Sequence, residues 1–307
     1  MTAGLSHSWP EPKVPGRVVV LGRRGFVGGS IVRDLALHSI DCAGISSKDV
    51  DLLAPDAGRA LASRLLPDDA LVIVSALTPD RGKDIATFMR NQRMMEAVCT
   101  ALGQKPVAHV VNIGSDAVYP DDASLIDEAT PTAPSGFHGM MHLARELMLR
   151  STVKCPLALL RPSLLYGAGD THNGYGPNCF RRTAAKDGKI TLFGTGEEKR
   201  DHVHIGDLAH LVRLVLQHRS QGVLNVATGQ AASFHEAAEQ VAAQFSAKVD
   251  IIELPRNGPV NIVHRHFSVG ALLRAFPGFH LLPLGEGIRL AHREVANGSG
   301  HAVEKNM

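Results

Sequence analysis

The sequence has few cysteines, almost no net charge and no long apolar run. Each of these absences excludes a class of protein. Four cysteines (Cys42, Cys99, Cys155 and Cys179) stand among 307 residues, none of them in a Cys-x-x-Cys pair. That spacing suits neither a disulfide framework nor a cysteine-rich zinc site, and a reducing, cytoplasmic setting is expected. The 32 Lys and Arg nearly balance the 30 Asp and Glu, for a formal net charge of +2, and the two signs are interspersed. No electrostatic argument points to nucleic acid or an anionic membrane as a partner. No segment approaches the roughly 18–20 apolar residues that a membrane-spanning helix needs. The first residues lack the basic-then-apolar pattern of a secretory signal. No internal repeat is visible.

What the sequence does contain is ordinary globular material, 44% apolar, in a chain long enough for one large α/β domain or a domain with a smaller lobe. Short β-branched runs at 17–22, 41–46, 70–75, 107–113, 156–161 and 222–227 alternate with helical patterns at about 26–38, 57–66, 84–103, 137–151 and 206–218. This alternation predicts a parallel sheet covered on both faces. Right-handed crossovers then make it an α/β, doubly wound, Rossmann-like sheet. From Gly167 to about Arg200 the chain is rich in Gly, Asn and charge, and 229–296 mixes helical patterns with loops.

Gly22-Arg23-Arg24-Gly25-Phe26-Val27-Gly28 lies between the first strong strand pattern and the helix that follows it. In that context Gly22 permits a tight turn. Gly25 lets backbone N–H groups approach a pyrophosphate at the helix N-terminus, and Gly28 lets the helix pack close to the strand. A dinucleotide is therefore expected. The second strand ends in Ile45-Ser46-Ser47-Lys48, with no acid before Asp49. Ser46, Ser47, Lys48 and the loop arginines suit a 2′-phosphate, so NADP is favoured over NAD. The expected organisation is a flexible N-terminal arm at 1–15, a dinucleotide-binding domain at 16–168 and 206–228, a C-terminal substrate-binding lobe at 169–205 and 229–296, and a tail at 297–307.

With the glycine loop placed, residues 16–295 resemble an extended short-chain dehydrogenase/reductase of the nucleotide-sugar epimerase/dehydratase family. The motifs run in the family's order. GRRGFVG is similar to its glycine loop, and SSKDVDLL to the same stretch in its NADP-using 4-keto-sugar reductases. Val74-Ser75-Ala76 is similar to its apolar-Ala stretch, NIGSDAVYPDD to its Ser/Thr strand end, LLRPSLLYGAGD to its Arg-Pro strand, and LFGTGEEKRDHVHIGDLA to its Arg-Asp segment. The resemblance implies a nucleotide-sugar substrate and Ser115 as the hydroxyl that polarises the reacting oxygen. It places Gly22, Arg23, Gly25, Phe26, Val27, Gly28, Ser75, Ala76, Leu77, Asn91, Ile113, Arg161, Pro162, Ser163 and Leu164 beside the cofactor. It places Asp116, Asn178, Phe180 and Arg200 beside the substrate, Arg200 on a diphosphate oxygen. A homodimer through the 84–103 and 137–151 helices is implied as well.

The resemblance breaks at one helix. The family reads Tyr-Gly-x-x-Lys with a Glu further on, whereas this chain reads His138-Gly139-Met140-Met141-His142, with Glu146 holding the register. His138 thus takes the Tyr position and His142 the Lys position, four residues apart on one helix face. An imidazole is a competent general acid–base and can bond a ribose hydroxyl, but it carries no permanent charge. Four readings stay open at this point. His138 acts as the acid–base, with His142 orienting the ribose; or Tyr119, Asp116, His172 or Tyr175 takes over; or the chain binds its ligands without catalysis; or the histidine pair chelates metal with His202 or His204. The first is preferred, with no metal site expected.

Overall fold

The computed structural model describes residues 4–256, 258, 262 and 264–298. In chain order its elements begin with β1 (Leu5–His7), β2 (Arg17–Leu21), α1 (Phe26–Leu37), β3 (Cys42–Ile45), α2 (Ala57–Ala62), β4 (Asp69–Ile73), α3 (Ile85–Gln104), β5 (His109–Ile113), β6 (Leu125–Ile126), α4 (Phe137–Thr152) and β7 (Leu157–Pro162). They continue with β8 (Leu164–Tyr166), α5 (Pro177–Asp187), β9 (Lys189–Phe193), β10 (Lys199–His204), α6 (Ile205–Gln217), β11 (Ser220–Val226), β12 (Ala231–Ser233), α7 (Phe234–Ala242), β13 (Asp250–Leu254), β14 (His266–Phe267), α8 (Gly270–Ala275) and α9 (Leu284–Ala296).

Seven strands form the main sheet in the order β3-β2-β4-β5-β7-β11-β1, all parallel except β1. β2 shows why such a strand is continuously apolar. Val18 and Val20 pack into one core beneath α1 and α6, while Val19 and Leu21 pack into the other beneath α2, α3 and α4. A strand buried on both faces has no polar side to alternate with. From β2 the chain steps outward to β3, then crosses back past β2 to β4 and continues away to β5. That switch of direction opens a crevice at the strands' carboxyl ends, where ligands of open α/β sheets bind.

A separate core joins Tyr166, Phe180, Ile190, Leu192, Phe234, Val241 and Ile288. Small sheets frame it: β9 with β13, and β8 with β10 and β12. Its α7 opens with a complete capping box between Ser233 and Glu236.

One expectation needs correction. Within 1–15, read as a flexible arm, Leu5–His7 is a strand paired antiparallel with β11. His7 Nδ1 lies 2.8 Å from Ser220 Oγ and its Nε2 lies 2.9 Å from the Ala275 carbonyl. The Trp9 ring lies under both Lys13 and Arg219. The reason is the edge of β11, whose unpaired backbone groups β1 satisfies. Pro10, Pro12 and Pro15 follow that strand and do not interrupt it. Residues 1–3, and 299–307 of the expected tail, lie outside the described residues.

Candidate active site

The cofactor end is made of backbone. α1 opens at Gly25 with no side-chain cap and no acid in its first turn, so its leading N–H groups stay available to an anion. A Cβ on Gly28 would collide with the Gly22 carbonyl, so only glycine lets α1 start this close to the β2 turn. The two features together fit a dinucleotide pyrophosphate. At the adenosine end, Arg23 lies across Gly44, its Nε 3.9 Å from the Asp49 carboxylate. Asp49 also accepts from the Ser46 backbone N–H at 2.8 Å and the Ser46 hydroxyl at 2.6 Å. Ser46 therefore has its donors engaged, and Arg23 and Lys48 remain as the nearby cations.

The catalytic end depends on two elements touching. Ser115 follows β5 and caps a short 3-10 turn, its Oγ accepting from the Ala117 N–H at 3.1 Å. A Cβ on Gly139 would collide with the Ala117 carbonyl, so the glycine after His138 lets α4 lie directly on that turn. Ser115, His138 and His142 consequently line one cavity of about 360 Å³, together with Phe26 and Val27 at the start of α1. The two imidazole rings stand perpendicular, with centroids 4.8 Å apart.

Both imidazoles are held neutral. Burial lowers the pKa of His138, and the exposed Lys83 adds to the effect. Burial holds His142 well below the ordinary imidazole value, reinforced by His138 and then by Arg145. Arg145 was not anticipated from the sequence. It is 3% exposed, donates to the Ser75 carbonyl at 2.6 Å, and touches the Met141 sulfur. Burial lowers its own pKa to about 10, which leaves it a cation at neutral pH. Its place one turn after His142, pointing inward, is a tertiary outcome that helix periodicity alone does not distinguish from a surface arginine.

Several other expected residues line the same cavity: Ala76, Ile113, Asp116, Pro162, Ser163, Leu164 and Asn178. Asn178 donates to Asp170 and accepts from the Gly167 N–H, which fixes the 167–170 turn. Asp116 is bound by Arg265 at 3.3 Å, a partner 149 residues away that no local pattern signals. Burial raises the Asp116 pKa, against the pull of Arg265. Asn91 is buried and brackets Leu77, its Oδ1 accepting from the Leu77 N–H and its Nδ2 donating to the Leu77 carbonyl. It shapes the 75–78 loop and is not on the cavity wall.

Three expected residues are placed differently. Arg161 is 5% exposed and forks onto Glu146 at 2.9 and 2.7 Å, with a third bond to the Tyr119 hydroxyl, so its donors face the core and not a cofactor. Phe180 is 1% exposed in the smaller core and belongs to its packing. Arg200 stacks over Phe234 and donates to the Lys199 and Ile262 carbonyls, outside the cavity wall.

Of the other acid–base candidates, Tyr119 is fully buried and its hydroxyl donates to Asn225, so it does not reach the cavity. Tyr175 lines the cavity with its hydroxyl accepting from the Phe193 N–H. His172 sits on the cavity wall, its Nδ1 3.1 Å from Asp80 across two loops. Among the described residues no group of three or more His, Cys, Asp and Glu is arranged to hold a metal ion, and no helix is long and apolar enough to cross a membrane.

Glycine turn, uncapped helix and switch-point crevice define a Rossmann-type dinucleotide-binding protein. The chain belongs to the NAD dependent epimerase/dehydratase family, whose family model matches residues 18–227. It is 24% identical over 277 residues to the ADP-L-glycero-D-manno-heptose-6-epimerase of Alkalilimnicola ehrlichii, a match covering 78% of this chain and 85% of that protein. In fold it is similar to a GDP-L-fucose synthetase from Naegleria fowleri bound to NADP, with TM-score 0.82 and 16% identity over 96% of this chain and 97% of that one. It is likewise similar to the UDP-glucose 4-epimerase of Thermus thermophilus in complex with NAD, with TM-score 0.78 and 21% identity over 91% and 99%.

Proposed function

We propose that this chain is an NAD(P)-dependent enzyme that epimerises, dehydrates or 4-keto-reduces a nucleotide-linked sugar, with His138 as its acid–base. The observation that carries the reading is the meeting of Ser115, His138 and His142 in one cavity that opens onto the uncapped start of α1. The bound nicotinamide supplies the hydride acceptor or donor. Ser115 donates to the sugar oxygen as it changes between hydroxyl and carbonyl. Neutral His138 takes the hydroxyl proton in the oxidising direction, and the imidazolium so formed returns it when the carbonyl is reduced. His142 is too buried to charge and hydrogen-bonds the nicotinamide ribose as a neutral ring. Asp116 and Asn178 contact the sugar end.

NADP(H) is the favoured cofactor because Arg23 and Lys48 stand at the adenosine end and the single acid there, Asp49, is already held by Ser46 and Arg23. A second copy of the chain is expected to pack on α3 and α4, where Ile85, Met89, Phe137, Met140 and Leu147 are exposed. Met95 and Met141, on those same helices, are buried in the core.

A non-catalytic protein that binds NADP(H) or a nucleotide sugar is the rival reading, and it draws on the absence of a lysine at position 142. Absorbance near 340 nm separates the two. Purified protein is mixed with NADPH or NADP⁺ and a panel of nucleotide sugars and their 4-keto forms, alongside His138→Ala. A signal in the wild type that disappears in the variant supports the enzyme. Tight NADPH binding with no absorbance change, and no conversion of the sugars by mass spectrometry or NMR, supports the rival.

A further inference from the structure

The mechanism above leaves one buried polar side chain of the cavity without a task. His202 lies on β10, is 2% exposed, and contributes its ring to the cavity wall. Neither of its ring nitrogens makes a hydrogen bond of good geometry, although the Arg200 backbone lies near enough to act on the ring. Its surroundings are a carbon-rich cup. Phe234 stands edge-on at 6.0 Å between centroids, Tyr166 edge-on at 6.4 Å, and Nε2 faces Gly176 in the loop that closes the cavity. The Tyr166 hydroxyl is turned away to the Leu284 carbonyl. Buried polar groups in folded proteins are almost always paired, so an orphaned imidazole on a cavity wall calls for a partner that comes from outside.

The neighbouring strand position indicates what kind of partner. Arg200 and His202 are two residues apart on β10 and so share a face, about 6–7 Å from each other along the strand. Both pack on Phe234. Arg200 is the cation of that face. Burial lowers the His202 pKa to about 4, outweighing the opposite pull of the Arg200 backbone, so the ring is neutral. A neutral imidazole offers one N–H donor and one nitrogen acceptor. That pair is complementary to a group that also donates and accepts. An ionised phosphate or carboxylate, which only accepts, matches only half of it.

We propose that His202 is a specificity-determining residue that reads a hydroxyl or N-acyl amide of the substrate's sugar ring. The proposal rests on the nucleotide-sugar reading and names which part of that ligand the β10 wall recognises. With the sugar bound, the orphaned ring gains its partner. Without it, the imidazole is a polar group held in an apolar cup at a cost in stability.

Two readouts on His202→Phe and the smaller His202→Leu test this. The first is thermal melting of the protein with no sugar nucleotide added. Removing an orphaned polar group should raise the melting temperature, by roughly 2–4 °C, in at least one variant. The second is calorimetry with UDP, GDP and dTDP against UDP-glucose, UDP-N-acetylglucosamine, GDP-mannose and dTDP-glucose. The wild type is expected to bind one of the sugar conjugates more tightly than its bare nucleoside diphosphate. The variants should lose about tenfold of that increment while keeping the nucleoside diphosphate affinity, and His202→Gln should restore part of it. A fall in melting temperature in both variants would show that the imidazole is structural. An undiminished sugar increment would show that it does not touch the sugar. Either result overturns the proposal. If the wild type binds none of the seven probes, the nucleotide-sugar reading is what fails. The melting shift then decides by itself whether His202 is an orphan or a structural group.

Discussion

The two ends of the cavity are built from different materials. At the cofactor end the binding groups are backbone: the N–H groups of an uncapped helix and the glycines that let it approach the strand. At the catalytic end they are side chains whose usefulness depends on protonation: two perpendicular imidazoles, a serine and a buried guanidinium behind them. Backbone binding tolerates substitution at the positions between the glycines, which is why Arg23, Arg24, Phe26 and Val27 can occupy the glycine loop without disturbing it. Side-chain chemistry tolerates little, and it is here, at His138 and His142, that the chain departs from the Tyr and Lys of the family pattern while keeping the fold.

The widest separation of the two ends should come from His138→Ala. Turnover is expected to fall about 10²–10⁴-fold, the usual contribution of a positioned acid–base. The NADPH dissociation constant, read by fluorescence, should change less than about twofold. A comparable loss in both measurements would mean that the two ends are not independent. Next in size is Arg161→Met, which leaves Glu146 without its ion-pair partner in the core. Breaking a buried pair in this way costs about 3–5 kcal/mol, so denaturant unfolding should show a large loss of stability. A variant of wild-type stability with weakened NADPH binding would instead return Arg161 to the cofactor.

Arg145→Met tests the electrostatics in isolation. Arg145 pushes the His142 pKa down, so its removal should move the His142 ring titration upward, as seen by ¹⁵N-edited NMR of the imidazoles. Arg145→Lys should leave that titration near its wild-type position. No movement in either variant would remove Arg145 from the account. The smallest expected effect lies at the adenosine end. Lys48→Ala should weaken NADPH about tenfold and NADH little, because only the former carries the 2′-phosphate. Equal losses would remove the cofactor preference.

How much of this was legible in the sequence follows the same division. The main sheet announces itself because its central strands are buried on both faces, as with Val18 to Leu21, and the glycine loop sits at the strand–helix junction that gives it meaning. The register of α4 was readable from Gly139 and Glu146, and the structure adds the reason for Gly139, which is contact with Ala117. Contacts between distant segments were not readable. Asp116 meets Arg265, β1 meets β11, and Arg161 turns toward Glu146, each through packing that no local spacing encodes. Phe180 illustrates the limit from the other side. Its position in a Gly-rich segment pointed to the substrate, yet the same ring is needed to fill the core of the smaller lobe.

The central claim is that a neutral imidazole at position 138 moves the proton. The most direct test is the pH dependence of the single-turnover absorbance change at 340 nm, for the wild type and His138→Ala. The folded pKa of His138 lies below the ordinary imidazole value of about 6.5. In the oxidising direction the ring therefore remains a base as pH falls through that value. The rate should hold there and decline only as pH drops through the lower folded pKa. In His138→Ala the rate itself should be lost. A wild-type rate and an unchanged pH profile in that variant would contradict the account.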